Sequence, residues 1–78
     1  MQLRRQAIGT GGQSFVTSMV AAVESVTGRE LAPGKVAQRL SRQGNYLTVN
    51  VFVTVESAEQ LREIYEAMRS DHRMKFFL

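Results

Sequence analysis

The sequence predicts an α+β sandwich of order βαββαβ, and three observations carry that prediction. From Tyr46 to Val55 the chain alternates without a slip. Leu47, Val49, Val51, Val53 and Val55 fall on one side, and Tyr46, Thr48, Asn50, Phe52 and Thr54 on the other, which is the period of a half-buried strand. Before and after it, apolar residues return at helical spacing, first from Phe15 to Val26 and then from Leu61 to Met68. Short strand-like runs occupy Gln2 to Ile8, Lys35 to Arg42 and Arg73 to Leu78.

The first strand, Gln2 to Ile8, places Leu3 and Ala7 on one face, which Arg5 interrupts. Gly9-Thr-Gly-Gly12 breaks it, and Ser14 is expected to cap the next helix by accepting a free backbone N–H. Phe15, Val16, Met19, Val20, Val23 and Val26 form the apolar stripe of that helix, which Gly28 ends. Pro33-Gly34 reads as a loop, and the second strand turns Val36 and Leu40 inward. Gly44-Asn45 supplies the tight turn into the long strand, both residues tolerating positive φ.

Ser57-Ala-Glu-Gln60 is a capping-box pattern, in which each side chain is expected to satisfy the other's backbone donor. Leu61, Ile64, Tyr65 and Met68 give the second helix one apolar stripe. The last strand is expected to turn Met74, Phe76 and Leu78 inward and Arg73, Lys75 and Phe77 outward. Two right-handed strand–helix–strand units place both helices on one face of a four-stranded antiparallel sheet in the order 4-1-3-2, the ferredoxin-like arrangement. The 78 residues make a single domain, 1–78, too short for two cores.

Composition excludes several functions. The chain has no cysteine, which removes disulfides, thiolate zinc sites and cysteine nucleophiles together. Its 44% hydrophobic content is that of a globular chain, and no apolar run approaches the roughly 20 residues of a membrane span. No signal or transit pattern precedes the first strand. That abrupt start is expected of a trimmed chain or of a mature domain whose leader has been removed.

The net charge of +3 is unevenly spread. Arg4, Arg5, Lys35, Arg39, Arg42, Arg73 and Lys75 lie in strands or at their edges, whereas Glu24, Glu59, Glu63 and Glu66 lie on helices. The asymmetry fits either a solvated surface or an attraction for anions.

The pattern Arg39-x-Ser41-x-x-Gly44-Asn45-Tyr46-x-Thr48-Val49, followed by Ser57-x-Glu59-Gln60-Leu61-x-x-x-Tyr65 and Arg73-Met-Lys-x-x-Leu78, resembles the YbeD family. These are small proteins of uncharacterised function, some described as lipoate-pathway regulators. Gly9-Thr-Gly-Gly-x-x-Phe15, Met19-Val20 and Asp71-x-Arg73-Met-Lys75 are closer to its plant and cyanobacterial branch. The resemblance implies a ferredoxin-like fold similar to ACT regulatory domains, and no established catalytic residues. The first strand departs from the bacterial pattern, which is more apolar where this chain has Arg4-Arg5-Gln6.

Three constellations are candidates for function. Gly9, Thr10, Gly11, Gly12 and Ser14 offer backbone donors at a helix start that could hold a small anionic ligand, and the ACT resemblance implies an effector loop there; a plain turn is the alternative. The outer sheet face, with Tyr46, Thr48, Asn50, Phe52 and Phe77 beside Arg42, Arg73 and Lys75, is expected to meet a second copy of the chain or another protein. An RNA platform ranks below, because the first strand brings no aromatic to stack a base. Arg39 and Ser41 share a strand face with Ala37 away from the core and are expected on the same partner face, where they either orient a ligand or serve as edge-strand polar residues.

Catalysis is not expected. His72 is the only histidine, the helix glutamates are spaced for ion pairs, and no nucleophile–base or metal-ligand spacing occurs. The expectation is a non-catalytic regulatory or protein-interaction module, homodimeric or bound to a protein partner, with no cofactor and no membrane. Its expected setting is cytoplasmic, or the plastid stroma in a photosynthetic eukaryote.

Overall fold

The computed structural model describes residues 2–78, and its elements follow the predicted order. They are β1 (Gln2–Gly9), α1 (Gln13–Thr27), a 3₁₀ turn (Pro33–Lys35), β2 (Val36–Leu40), β3 (Leu47–Thr54), α2 (Ala58–Arg69) and β4 (Met74–Phe77). The strands form one sheet in the order β2-β3-β1-β4, every neighbouring pair antiparallel. This is the predicted 4-1-3-2 order read from the other edge, and the fold is ferredoxin-like.

The alternation in β3 is the spine of the core. Leu47, Val49, Val51 and Val53 are buried, together with Val55 just beyond the strand. Phe15, Val16, Met19 and Val23 of α1 and Ile64 and Met68 of α2 close over them, with Ala7 from β1. Burying each such side chain is worth about 1.5–3 kcal/mol, so this cluster carries most of the folding free energy.

Local signals set the ends of α2. Ser57 Oγ accepts the Gln60 N–H at 3.1 Å, while Gln60 Oε1 takes the N–H of Glu56 at 2.8 Å rather than that of Ser57. The start of α1 differs from expectation. Gly12, not Ser14, is the N-cap, and no side chain caps the helix. The β2–β3 hairpin closes through Ser41, whose carbonyl accepts the Gly44 N–H at 2.9 Å and whose hydroxyl accepts the Tyr46 N–H at 3.1 Å. Gly44 holds φ 77° there, whereas Asn45 does not adopt positive φ.

Expectations in two strands are corrected. Leu40 lies opposite Leu47 on the helix side, yet it is 60% exposed, at the end of the edge strand β2. In β4 the alternation is broken by a bulge, where Met74 pairs with Gly9 and Phe76 with Ile8, leaving Lys75 as the extra residue. Beyond the bulge Phe77 lies opposite Ala7 and packs on the core, its ring 4.8 Å from that of Tyr65. Phe76 and Leu78 turn to the other face, where they are 60% and 69% exposed.

Candidate functional site

The Gly9–Ser14 loop is packed from within. A Cβ at Gly9 would lie 2.4 Å from the Arg73 carbonyl oxygen and 2.6 Å from Phe15 Cζ, so the glycine exists to let β4 and α1 approach. The Thr10 N–H donates to the same carbonyl at 3.1 Å. Arg73 was expected on the outer sheet face; instead its guanidinium reaches the start of α1 and donates to Ser14 Oγ. Asp71 holds it there, through Nε to Oδ1 at 3.1 Å and Nη2 to Oδ2 at 2.8 Å, and accepts the Arg73 backbone N–H at 2.9 Å.

This bidentate pair draws the Asp71 carboxyl well below the usual carboxylate range, with help from the Arg73 N–H and Ser18 and against the effect of burial. The same contact raises Arg73 above its ordinary value. The four groups Asp71, Arg73, Ser14 and Thr10 thus form a latch between the α2–β4 turn and the beginning of α1. The Arg73 side chain lies against Gly11 and meets the Ser14 hydroxyl, and its charge is already matched by Asp71.

The opposite side of the molecule is open. Both helices lie on one face of the sheet, and cross-strand register defines the residues on the other. Arg39, Thr48, Ile8 and Phe76 form one row; Ala37, Asn50, Gln6 and Leu78 form the next. Phe52 and Arg4 form a third. Of the residues expected on this face, Arg39, Thr48, Asn50 and Phe52 are brought together there, with Ser41 and Tyr46 paired at its hairpin end. Phe77 and Arg73 are not, and Lys75 is the exposed residue of the bulge.

Sequence reasoning missed two members of this face, Gln6 and Arg4, and misplaced two, Phe76 and Leu78. The alternation Arg4, Gln6, Ile8 against Leu3, Ala7 contained the signal for the first pair. No strand carries an aspartate or glutamate. Arg4, Arg39 and Arg42 therefore stand without an ion pair among the described residues. The row arrangement also divides the face, with Ile8, Phe76 and Leu78 towards β4 and the polar residues towards β2.

His72 is exposed in the α2–β4 turn. Among the described residues, no group of three His, Cys, Asp or Glu side chains could hold a metal ion. No helix among them is long and apolar enough to cross a membrane.

Comparison with known proteins places these features in a family. The family described as "Protein of unknown function (DUF493)" matches residues 1–78. A "UPF0250 protein" of Ectopseudomonas mendocina (strain ymp) is 34% identical over 73 residues, covering 94% of this chain and 78% of the relative. Another of Janthinobacterium sp. (strain Marseille) is 34% identical over 73 residues, covering 94% and 79%. No solved structure matches the chain significantly.

Proposed function

The chain belongs to the DUF493 family of proteins of unknown function, and from that premise we propose that it is a non-catalytic regulatory module that docks an acidic protein partner on the open face of its sheet. The observation that carries this reading is the face itself. It combines an apolar corner of Ile8, Phe76 and Leu78 with the cations Arg4, Arg39 and Arg42, and no strand residue bears a negative charge. An apolar core with a charged rim is the composition of a docking surface. Complementary charge on the partner would speed encounter and fix orientation.

A second copy of the chain suits the face less well. Two-fold pairing across it would set one cationic face against another, with no strand carboxylate on either copy to answer Arg4 or Arg39. RNA is disfavoured for a different reason. The outward residues of β1 are Gln2, Arg4, Gln6 and Ile8, so no aromatic stands beside Phe52 to make a stacking platform. A small anion at the Gly9–Ser14 loop is the weaker ligand reading, because Asp71 already neutralises Arg73 there.

The test is affinity capture from nuclease-treated extract of the source cells with the wild-type chain, Phe76→Glu and the helix-face variant Arg62→Glu. The reading expects one acidic protein recovered with wild type and Arg62→Glu and lost with Phe76→Glu. Recovery unaffected by Phe76→Glu, or dependent on intact RNA, would contradict it.

A further inference from the structure

The strand β2 is an open edge of the sheet, and the register fixes which of its backbone groups are free. The Ser41 N–H donates to the Tyr46 carbonyl at 2.8 Å, and bonded pairs alternate along an antiparallel ladder. Arg39 and Ala37 therefore bond to Thr48 and Asn50, while Val36, Gln38 and Leu40 turn their N–H and C=O groups away from β3. The Val36 N–H is taken by the Pro33 carbonyl of the 3₁₀ turn. The N–H and C=O of Gln38 and Leu40 and the C=O of Val36 remain.

This edge carries few devices against pairing. β2 runs against β3 in unbroken register, contains no proline, and holds its one charge, Arg39, on the open face. The opposite edge differs, because the bulge at Lys75 breaks the line of β4. Leu40 adds a second sign. It lies on the helix side, opposite buried Leu47, yet it is 60% exposed, an apolar residue left uncovered beside free backbone groups.

We propose that two copies of the chain join antiparallel along β2, with the two-fold axis at Gln38, so that their sheets become one. The register follows from the free groups, since only residues whose backbone faces outward can pair. The Gln38 N–H meets the partner's Gln38 C=O, and the Leu40 N–H meets the partner's Val36 C=O, each bond made twice by symmetry. The donor this register does not use is the Val36 N–H, which Pro33 already satisfies. Side chains agree with it. On the helix side Leu40 comes beside the partner's Val36, and the Gln38 amides, each both donor and acceptor, meet at the axis. On the open face Arg39 stands opposite the partner's Ala37, so the arginines are not set directly against each other. This inference goes beyond the docking reading and does not need it, because β4 and its apolar corner lie at the far ends of the joined sheet.

Sedimentation equilibrium of the whole chain, with amide hydrogen exchange at the same concentrations, tests the pairing. One strand pair is a small interface, so a dimer with Kd of about 10–100 µM is expected. Each copy carries a net charge of +3, so association should tighten as salt rises, the reverse of binding to an acidic protein or to nucleic acid. The Gln38 and Leu40 amides should gain protection with concentration, whereas those of Ala37 and Arg39, already bonded to β3, should not. Gln38→Glu and Gln38→Lys should each weaken the dimer about fivefold by opposing like charges at the axis. Their mixture should restore it, because only the residue on the axis meets its own copy. Leu40→Lys, at an exposed position, is a second disrupting variant, and Phe76→Glu should leave the dimer unchanged.

A chain that stays monomeric to about 1 mM would overturn the proposal and leave the edge to a strand of another protein. Loss of the dimer with Phe76→Glu would also overturn it, as would a mixture of the two Gln38 variants that associates no better than either alone.

Discussion

Replacing Gly9 by alanine should damage the fold more than replacing any other glycine in the chain. The new Cβ would sit 2.4 Å from the Arg73 carbonyl oxygen, whereas ordinary contact begins at 3.4 Å, so β1 and β4 must part by about 1 Å. Such a movement stretches the Thr10 N–H to Arg73 bond from 3.1 Å to about 4 Å, beyond hydrogen-bond range. Losing that bond costs about 1 kcal/mol, and forcing a methyl against Phe15 and a backbone carbonyl costs about 1–3 kcal/mol more. The sum, about 3 kcal/mol, is a large part of the roughly 4–12 kcal/mol expected for a chain of this size. It should lower Tm by about 12–24 °C, read by circular dichroism during thermal and urea unfolding. Gly12→Ala is the control. Nothing lies within 4 Å of a Cβ there, so its cost is only that of alanine at φ +61° and ψ −137°, about 1–3 kcal/mol. A Gly9→Ala chain within about 1 kcal/mol of wild type, or one more stable than Gly12→Ala, would refute the reasoning.

Further outcomes follow from the other residues. Phe77→Ala should destabilise the chain by about 2–3 kcal/mol, whereas Phe76→Ala should change stability by less than about 0.5 kcal/mol, and denaturant titration of the pair checks the β4 bulge. Asn50→Val should raise stability by about 1 kcal/mol, measured the same way, because it removes an acceptor without a donor from a central strand. Since the Asp71 carboxyl is held below its unfolded value, its contribution is present above about pH 4 and lost as pH falls towards the folded value. Wild type should therefore lose stability on acidification below pH 4 more steeply than Asp71→Asn, with urea midpoints as the readout.

The parts of the fold that were legible in the sequence are those governed by local periodicity. β3 alternates across a face buried on one side, and α2 combines a capping box with one apolar stripe, so pattern and environment agree. Expectation failed where a non-local contact decided the outcome. Ser14 has the chemistry of a cap, but Arg73, far along the chain, takes its hydroxyl and leaves Gly12 as the cap. Strict alternation in Arg73–Leu78 put Phe77 outside; the bulge at Lys75, which follows from β1 and β4 pairing around Gly9, reverses the last residues. On the open face, Arg39, Thr48, Asn50 and Phe52 were readable from β3 and its hairpin. The alternation in β1 puts Arg4 and Gln6 on one face with Ile8, but which residues of β3 they meet depends on the register between the two strands.

On the proposed reading, the open sheet face is the side of the molecule that meets its partner. A photoreactive phenylalanine analogue placed at position 76, with the same analogue at position 62 on α2, tests this directly in the source cells. A covalent adduct with another protein is expected from position 76 and none from position 62. Adducts from position 62 alone, or from position 76 only to nucleic acid or to a second copy of the chain, would contradict it.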